Sequence, residues 1–417
     1  MFNASRLYPV LAANTLLRSA MTASGSNALV GFYLADLALQ GEAISPSLVG
    51  NLNATHDAVA LLLAIPLGIL IDRFSPRTIL VFGALCGAVA TQLFGLTGVI
   101  SIFFIARALE GLGSSATAPG ILAYLTDATA TAPEMRGRVM SWFEISLFGG
   151  IAVGNLVSGP LWERIGTTAF ALMAIFYLVA ALIFARRAEV RTRVAKAGAP
   201  LAGVRETFRN QKLIRLSIPW LVFNTVVGLW LSQLTFQLNG PRRAGQWLVG
   251  RLTPSQTSIS LFLYIIVFAL GVWYFGLQIG RMSRTRIMRI GFVAMFGVVA
   301  CFYLLNSSSG WSMTARLSII PFYAFAAGLQ GAFPPAALSF LADIAGNTQG
   351  RGSAMGVYTL MLSLGNITGA LLGGQLGDML ALNGLLIGTL VLATIGLLSL
   401  RFLREEPRPI VTVDVVR

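Results

Sequence analysis

Long apolar segments separated by short polar stretches run through the whole chain. Twelve of these segments hold roughly 20 or more mostly apolar residues, the length that a helix needs to cross a membrane. They lie near residues 10–35, 47–71, 78–97, 100–125, 138–160, 167–186, 214–238, 257–279, 287–306, 314–341, 354–377 and 384–402. The segments are too long for the strands of a membrane barrel and lack a period of two. The pattern predicts an all-α integral membrane protein with twelve transmembrane helices, numbered here as spans 1 to 12.

A basic segment interrupts the apolar pattern after span 6. Residues 186–215 are rich in Lys and Arg, and such a segment is typical of a solvated linker lying on an anionic membrane surface. The pattern therefore divides the chain into four parts. They are an N-terminal six-helix bundle (1–185), a cytoplasmic linker (186–213), a C-terminal six-helix bundle (214–404) and a cytoplasmic tail (405–417).

The composition supports a membrane protein and explains its charge. Hydrophobic residues make up 56% of the 417 residues and charged residues 11%, against about 25% charged residues in soluble domains. The net charge of +14 would by itself suit a nucleic-acid-binding protein. Most of the basic residues, however, fall on the side of the membrane that holds both termini, and cytoplasmic loops carry such an excess. We therefore predict a multi-pass protein of the inner (plasma) membrane with cytoplasmic termini and no nucleic-acid partner.

Few residues favour covalent or metal chemistry. Cys86 and Cys301 lie inside predicted spans and form no paired motif, so we predict no disulfide, metal site or cofactor. A nucleotide-driven pump would need a large soluble domain, and no polar stretch has that size. We expect no enzyme activity. Because no domain for nucleotide hydrolysis is evident, any transport by this chain would draw its energy from gradients of ions or solutes.

The two halves of the chain repeat each other. The stretch GILIDR at 68–73 stands 208 residues before the stretch GLQIGR at 276–281, and both end the second span of their half. Gly159, near the end of span 5, stands 215 residues before Gly374, near the end of span 11. Parallel repeats of this kind are a known architecture of secondary transporters. They predict two bundles related by a pseudo-two-fold axis.

Three stretches carry a resemblance to a known family. GILIDRFSPR at 68–77 resembles the loop motif between helices 2 and 3 of the major facilitator superfamily. RALEGLG at 107–113 is similar to its RxxQGxG pattern, with Glu in the place of Gln. GIAVGNLVSGP at 150–160 resembles the glycine-proline motif of its drug/proton antiporters, although LWE follows where a glycine pair is common. The chain thus resembles the twelve-helix drug/proton antiporters, and the resemblance implies the major facilitator fold.

The resemblance implies a conformational latch in the loop motif. In the family, the Asp of this motif faces the N-terminus of a helix of the second half when the outward-facing state forms. Gly68, Asp72, Arg73 and Arg77 are therefore expected to close the cytoplasmic side in one state only, and such a contact shifts the equilibrium between states. A tight polar turn whose arginines only follow the excess of basic residues on the cytoplasmic side is the plainer alternative.

The glycines of span 5 are expected to pack the two halves together. Gly150, Gly154, Gly159 and Pro160 place small residues along span 5, and small residues let helices approach closely. The resemblance implies that the partner is a helix of the second half. Ordinary packing within one bundle is the alternative.

Ionisable side chains inside spans are costly and mark candidate functional sites. All six deep ones lie in the first half and form three expected pairs: Arg18 with Glu144, Arg107 with Glu110, and His56 with Asp57. We expect them to bind protons or substrate. The resemblance implies that Arg107, in span 4, takes part in proton transfer. Static ion pairs that hold the bundle together, and a buried histidine without a transport role, are the alternatives.

The second half lacks such charges and offers amide and aromatic side chains instead. The candidates for its side of a substrate cavity are Asn224, Gln233, Tyr264, Gln330, Tyr358 and Asn366. This asymmetry predicts that the first half handles protons while the second half supplies a mostly apolar wall.

Three functions are compatible with these patterns. The leading one is a monomeric secondary transporter that exports an amphipathic or drug-like solute in exchange for protons. The second is a carrier, as an exporter, flippase or importer, for one defined anionic metabolite, lipid or siderophore. The third is a membrane sensor or scaffold that moves nothing. The expected partners are a small-molecule substrate, protons and membrane lipids.

Overall fold

The chain is mostly helical in the part that the structure, a computed structural model, describes: residues 4–25, 28–129, 135–188, 211–346 and 351–403. These residues form fifteen α-helices and no strand. The helices are α1 (Ala4–Ser24), α2 (Leu29–Leu39), α3 (Pro46–Arg73), α4 (Pro76–Leu96), α5 (Ile100–Ala128), α6 (Arg136–Ile165), α7 (Thr168–Arg187), α8 (Gln211–Asn239), α9 (Pro254–Gln278), α10 (Arg284–Asn306), α11 (Met313–Leu317), α12 (Ile320–Gln330), α13 (Phe333–Gly346), α14 (Arg351–Leu380) and α15 (Leu382–Ser399), with a 3₁₀ turn at Leu400–Phe402.

The helices form a multi-pass membrane protein of two six-helix bundles. Eight helical segments of the described part are long and apolar enough to cross a membrane. The other four predicted spans correspond to α3, α5, α14 and the pair α1 and α2. We call the end of the bundles that holds the start of α1 and the α3–α4 turn the proximal face. The opposite end, with the α2–α3 and α6–α7 turns, is the distal face.

A capping residue followed by proline begins three of the long helices. The side chains of Ser45, Ser75 and Thr253 each accept a hydrogen bond from a backbone N–H of the first turn of α3, α4 and α9. Such a bond satisfies a donor that has no partner within the helix. Proline suits the first helical position because it lacks an N–H. The sequence at these positions therefore determines where the helices begin.

The structure divides two spans that the sequence predicts as single helices. Span 1 consists of α1, which ends at Ser24, and α2, which begins at Leu29. Span 10 consists of α11, α12 and α13, with its second break at residues 331–332. Pro334 and Pro335 lie in the first turn of α13, where the missing N–H groups cost nothing, whereas inside a continuous helix each would remove a hydrogen bond. The segment 313–341 is nevertheless long and apolar enough to cross a membrane as one span.

Each half of the chain has its own aromatic core. In residues 4–188, the Phe94 ring contacts Phe103 at 5.3 Å and Phe170 at 5.8 Å between ring centroids. In residues 211–403, Phe223 stacks on Phe333 with centroids 4.3 Å apart. Buried aromatic side chains supply large apolar area and specific packing, so these clusters stabilise each bundle from within.

The two halves meet at the distal face, where α3 packs against α14 and α6 packs against α9. Gly50 allows the first contact, because a Cβ at that position would lie 2.3 Å from a backbone carbonyl oxygen of α14. Within the described part of the chain, the hydrogen bonds between the halves join residues 46–53 and 158–163 to residues 232–258 and Asp378. All of these residues lie in the distal part of their helices, so the distal face is closed in this structure.

Candidate functional site

An ion pair lies inside the first bundle. Arg107 and Glu110 are three residues apart on α5, and Arg107 Nη1 donates a hydrogen bond to Glu110 Oε2 at 2.5 Å. The two side chains are 4% and 3% exposed. Asn53 of α3 accepts a bond from Arg107 Nη2 at 3.1 Å, and Ser24 of α1 donates one to Glu110 Oε1 at 3.4 Å. Three helices thus hold the two opposite charges, which can be buried because each has a partner.

A small cavity adjoins Glu110 between α1, α4, α5 and α7. Its polar lining includes Glu110, Ser114, Thr117 and Tyr177. The Tyr177 ring packs over Gly87, where a Cβ would lie 2.3 Å from the ring. Gly87 is therefore needed to admit the tyrosine beside the buried carboxylate.

A second set of polar contacts leads from α3 to the same cavity. His56 Nδ1 lies 3.0 Å from Asp57 Oδ1, and His56 Nε2 lies 3.5 Å from Ser114 Oγ. The His56 side chain is 17% exposed and that of Asp57 is 25% exposed. Ser114 lines the cavity beside Glu110. A row of polar groups therefore runs from a partly accessible carboxylate to the buried ion pair.

Asp57 and Glu144 lie on the sides of their helices that face the second half. Asp57 follows Gly50 by seven residues, so both share one side of α3 to within about 20°. Glu144 precedes Ser158 by 14 residues, so both share one side of α6 to within about 40°. Gly50 contacts α14 and Ser158 contacts Ser258 of α9. Because Glu144 is exposed, these two carboxylates border the space between the halves on the proximal side of the distal joint.

Arg18 and Glu144 do not form the predicted pair. Arg18 Nη1 donates to Met21 Sδ at 3.6 Å, and Arg18 Nε is buried without a hydrogen-bond partner. A Cβ on Gly150 would lie 2.6 Å from Arg18 Cβ, so Arg18 is on the side of α6 that carries Gly150. Six residues separate Gly150 from Glu144, which turns the helix by about 120°. Glu144 therefore faces the second half, away from Arg18.

The glycines of α6 contact two different helices. A Cβ on Gly154 would lie 2.5 Å from the Ser19 carbonyl oxygen of α1, and Gly150 faces the same helix. A Cβ on Gly159 would lie 2.1 Å from a backbone oxygen of α9, and Pro160 follows it inside α6. The predicted packing against the second half was thus wrong for Gly150 and Gly154. Five residues turn a helix by about 140°, so Gly154 and Gly159 cannot face one neighbour.

Three candidates of the second half make specific hydrogen bonds. Tyr264 of α9 donates to Gln330 of α12 at 3.0 Å, which joins two helices of the same bundle. Gln233 of α8 is fully buried, and its Nε2 donates to the Pro46 carbonyl oxygen of α3 at 3.0 Å. Gln233 therefore belongs to the joint between the halves, and the three residues do not share one wall.

The remaining candidates of the second half lie along α8 and α14. Asn224 packs against Gly365, and Asn366 packs against Gly228. Asn224 Nδ2 donates to a carbonyl oxygen of its own helix at 2.8 Å, and Asn366 Oδ1 is buried without a partner. The side chain of Tyr358 lies outside the described residues.

The loop motif forms a tight turn at the proximal face. α3 ends at Arg73 and α4 begins at Pro76. Arg77 is exposed, whereas the side chains of Asp72 and Arg73 and the surroundings of Gly68 lie outside the described residues. The latch at this turn stays a prediction.

Uncharged polar residues were missing from the sequence prediction of this site. Asn53, Ser24, Ser114 and Tyr177 all contact the ion pair or its cavity, but such side chains are common in membrane helices and also serve helix packing. One spacing would have found Ser114, because it follows Glu110 by four residues and so lies on the same side of α5.

Comparison with known proteins places the chain among transporters. A sequence profile described as Major Facilitator Superfamily matches residues 16–250 and 245–415. Multidrug resistance protein 1 of Bacillus subtilis (strain 168) is 24% identical over 339 residues, which cover 80% of this chain and 82% of that protein. Both matches extend over the two halves of the chain.

Solved transporter structures share the fold. The nucleoside transporter NupG superposes with a TM-score of 0.75 at 14% identity, over 95% of this chain and 98% of that chain. A bacterial homolog of the human lysosomal transporter Spinster, in an inward-facing and unoccupied conformation, superposes with a TM-score of 0.69 at 16% identity. That match covers 95% of this chain and 94% of the other. At these identities the likeness concerns the fold alone.

Proposed function

This chain belongs to the major facilitator superfamily, and we propose that it is a proton-coupled exporter of amphipathic or drug-like organic solutes. In this proposal two bundles, residues 1–185 and 214–404, rock about the space between them and open it to one face at a time. Residues 186–213 join the bundles and residues 405–417 form a tail. The name of the Bacillus relative, a multidrug resistance protein, supports export of drug-like molecules.

The observation that carries the proposal is the position of Asn53. Its Oδ1 accepts a hydrogen bond from Arg107 Nη2 at 3.1 Å, and its Nδ2 donates to the Ser232 carbonyl oxygen of the second half at 3.5 Å. One side chain thus contacts both the buried ion pair and the distal joint. Opening of the distal face removes the bond to Ser232, while Nδ2 keeps its hydrogen bond to the Val49 carbonyl oxygen of α3 at 3.0 Å. The surroundings of the amide that binds Arg107 therefore change with the arrangement of the halves. This geometry supports coupling between charge in the first half and the arrangement of the halves.

We propose Asp57 as the group that exchanges protons with water. Its carboxylate is partly exposed beside His56, and it faces the second half on the strip of α3 that carries Gly50. A proton bound there removes a negative charge next to the joint between the halves. The interaction energy between the halves then depends on protonation, which is the physical requirement for coupling. The polar contacts of His56 and Ser114 connect Asp57 to the cavity, so protonation of Asp57 also alters the surroundings of the buried pair of Arg107 and Glu110.

Glu144 is proposed to bind the charged end of a cationic solute. It is exposed on the side of α6 that faces α9. The strip of α9 that contacts α6 at Ser258 continues toward the proximal face with Ile265 and Ala269, which lie within about 20° of Ser258 around the axis. Ala269 follows Ser258 by 11 residues and Glu144 precedes Ser158 by 14, so Ala269 and Glu144 lie within about one helical turn of each other in depth. A carboxylate opposite an apolar wall suits a solute with one cationic and one apolar end.

The opposite conformation needs contacts of its own at the proximal face. We propose that Gly68, Asp72, Arg73 and Arg77 close that face when the distal face opens. A carboxylate at a helix N-terminus is stabilising by about 0.3–1 kcal/mol when exposed, enough to bias two states of similar energy. The basic residues near both termini support a cytoplasmic proximal face in the plasma membrane, with the monomer as the working unit.

Transport in proteoliposomes with an imposed pH gradient tests the proposal. Purified protein should move several unrelated lipophilic cations in the direction opposite to the flow of protons. Collapse of the pH gradient should stop the net movement of these cations. Asp57→Asn should bind these cations but lose the dependence on the gradient. If the unmodified protein transports the cations at the same rate with and without the pH gradient, proton coupling is excluded.

A carrier for one anionic solute is the second candidate, and Arg18 favours it. Arg18 Nε is buried without a partner, and the guanidinium contacts Met21 Sδ where a carboxylate was expected. The carboxylate or phosphate of a metabolite, lipid or siderophore would compensate this charge. Transport of a single anion that Arg18→Gln abolishes, with no cation transported, would select this function.

A further inference from the structure

Two contacts between the halves at the distal face have the same chemistry. In the first, the Asp378 carboxylate, near the end of α14, accepts two hydrogen bonds from Ser47, the second residue of α3. The backbone N–H of Ser47 donates to Oδ1 at 3.1 Å, and its Oγ donates to Oδ2. We call Ser47, Gly374 and Asp378 distal clamp 1.

The second contact reverses the roles of the two halves. The Glu163 carboxylate, near the end of α6, accepts two hydrogen bonds from Ser255, the second residue of α9. The backbone N–H of Ser255 donates to Oε1 at 2.9 Å, and its Oγ donates to Oε2 at 2.5 Å. We call Ser255, Gly159 and Glu163 distal clamp 2.

The internal repeat relates the two clamps. Ser47 and Ser255 are 208 residues apart, which is also the separation of the stretches 68–73 and 276–281. Both serines follow a capping residue and a proline, in the tripeptides SPS and TPS. Glu163 and Asp378 are 215 residues apart, as are Gly159 and Gly374. The clamps are therefore equivalent positions of the two repeats, used in opposite directions.

A glycine in each clamp lets the helix start approach. A Cβ on Gly159 would lie 2.1 Å from the Pro254 carbonyl oxygen, and a Cβ on Gly374 would lie 2.8 Å from Ser47 Cα. In both helices the acid follows its glycine by four residues, so glycine and carboxylate share one side of the helix. The glycine brings the N-terminus of the partner helix close, and the carboxylate binds its free N–H group.

We propose that clamps 1 and 2 are a paired lock that holds the distal face closed, and that both must release before the face can open. Each carboxylate lies at the positive end of a helix dipole. It accepts charge-assisted hydrogen bonds, which are stronger than those between neutral groups. The contacts join opposite halves, so they exist only while the distal ends of α3 and α14, and of α6 and α9, stay together. Clamp 1 holds one side of the joint and clamp 2 the other, so release of one leaves the face restrained.

A distance measurement between the halves tests the lock. Spin labels on cysteines at Gln40 and Ala244, both exposed at the distal face, report its opening in lipid nanodiscs after Cys86 and Cys301 are replaced by Ser. Glu163→Gln and Asp378→Asn should each raise the ratio of open to closed protein by about threefold, and the double variant by about tenfold. Glu42→Gln, an exposed acid on the same face, should leave the ratio unchanged.

The outcomes separate the lock from its alternatives. A double variant whose distances match those of the parent and of Glu42→Gln overturns the proposal, and a shift caused by one clamp alone overturns their equivalence. If the double variant does not fold, Gly159→Ala and Gly374→Ala decide, because each wedges one clamp open with its carboxylate intact. No opening in either of them overturns the lock. The measurement uses no solute and no pH gradient, so it stands apart from the proposed transport function.

Discussion

Arg107 Nη1 and Glu110 Oε2 lie 2.5 Å apart on one side of α5, and neither side chain is more than 4% exposed. The spacing of three residues brings the two side chains together within one helix. Two further helices complete the site through Asn53 and Ser24. The pair is thus a buried charge cluster whose members depend on each other.

Removal of one charge from this pair should destabilise the first bundle. Glu110→Gln leaves Arg107 buried without a counter-charge, so we expect the free energy of unfolding to fall by about 3–5 kcal/mol. Chemical unfolding in detergent micelles measures this. Arg107→Met with Glu110→Met removes both charges and should cost less than Glu110→Gln alone. A double variant that costs the sum of the single variants would show that the two charges do not stabilise each other.

Asn53→Ala should weaken coupling without unfolding the protein. The variant removes the acceptor for Arg107 and the donor to the second half, at a cost of about 1–2 kcal/mol. Gradient-driven transport should fall several-fold more than solute exchange without a gradient. Asn51→Ala, two residues earlier on the exposed side of α3, is the matched control. Equal losses in both activities would leave Asn53 with a structural role only.

Glu144→Gln should distinguish solute binding from proton binding at α6. If the carboxylate binds the cationic end of the solute, KM for cations should rise about tenfold, which is the loss of one charge-assisted contact. KM for neutral solutes should stay the same, and so should the dependence on the pH gradient. Initial rates in proteoliposomes give both values. A lost pH dependence with unchanged KM would instead assign proton coupling to Glu144.

Neighbouring glycines of α6 should respond to alanine in opposite ways. A Cβ on Gly150 would lie 2.6 Å from Arg18 Cβ, whereas a Cβ on Gly149 would meet nothing within 4 Å. Gly150→Ala should therefore destabilise the bundle by about 1–3 kcal/mol through overpacking. Gly149→Ala should be neutral or stabilising by up to about 1 kcal/mol, because alanine favours helix. Thermal unfolding of the two variants compares them, and similar Tm values would contradict the packing of α6 on α1.

The turns that follow α6 and α14 offer a second matched pair. Gly166 and Ala381 are 215 residues apart and have φ values of 54° and 50°. Positive φ is unfavourable for a residue with a Cβ, so Ala381→Gly should raise stability by about 0.5–1 kcal/mol. Gly166→Ala should lower the stability by a similar amount. A Cβ there would meet no other atom within 4 Å, so the strained backbone conformation is the only cost. Tm shifts of the same sign in both variants would be inconsistent with this explanation.

Features that depend on one helix followed from the sequence. The length of the apolar runs predicted the twelve spans, because a helix has a fixed rise and a bilayer a fixed thickness. The spacing of Arg107 and Glu110 predicted their pairing, and adjacency brought His56 and Asp57 within 3.0 Å. The internal repeat was also visible in the residues at 68–73 and 276–281.

Features that depend on two helices required the tertiary structure. Only the structure showed that Gly154 faces α1 while Gly159 faces α9, that Glu144 turns away from Arg18, and that Asn53 reaches the second half. Neither the apolar pattern nor the charges set these rotations, because lipid and neighbouring helices are equally apolar and a helix side facing either one has the same composition. Rise and turn within a helix are properties of the backbone. The rotation of one helix against another depends on which small residues let the two backbones meet.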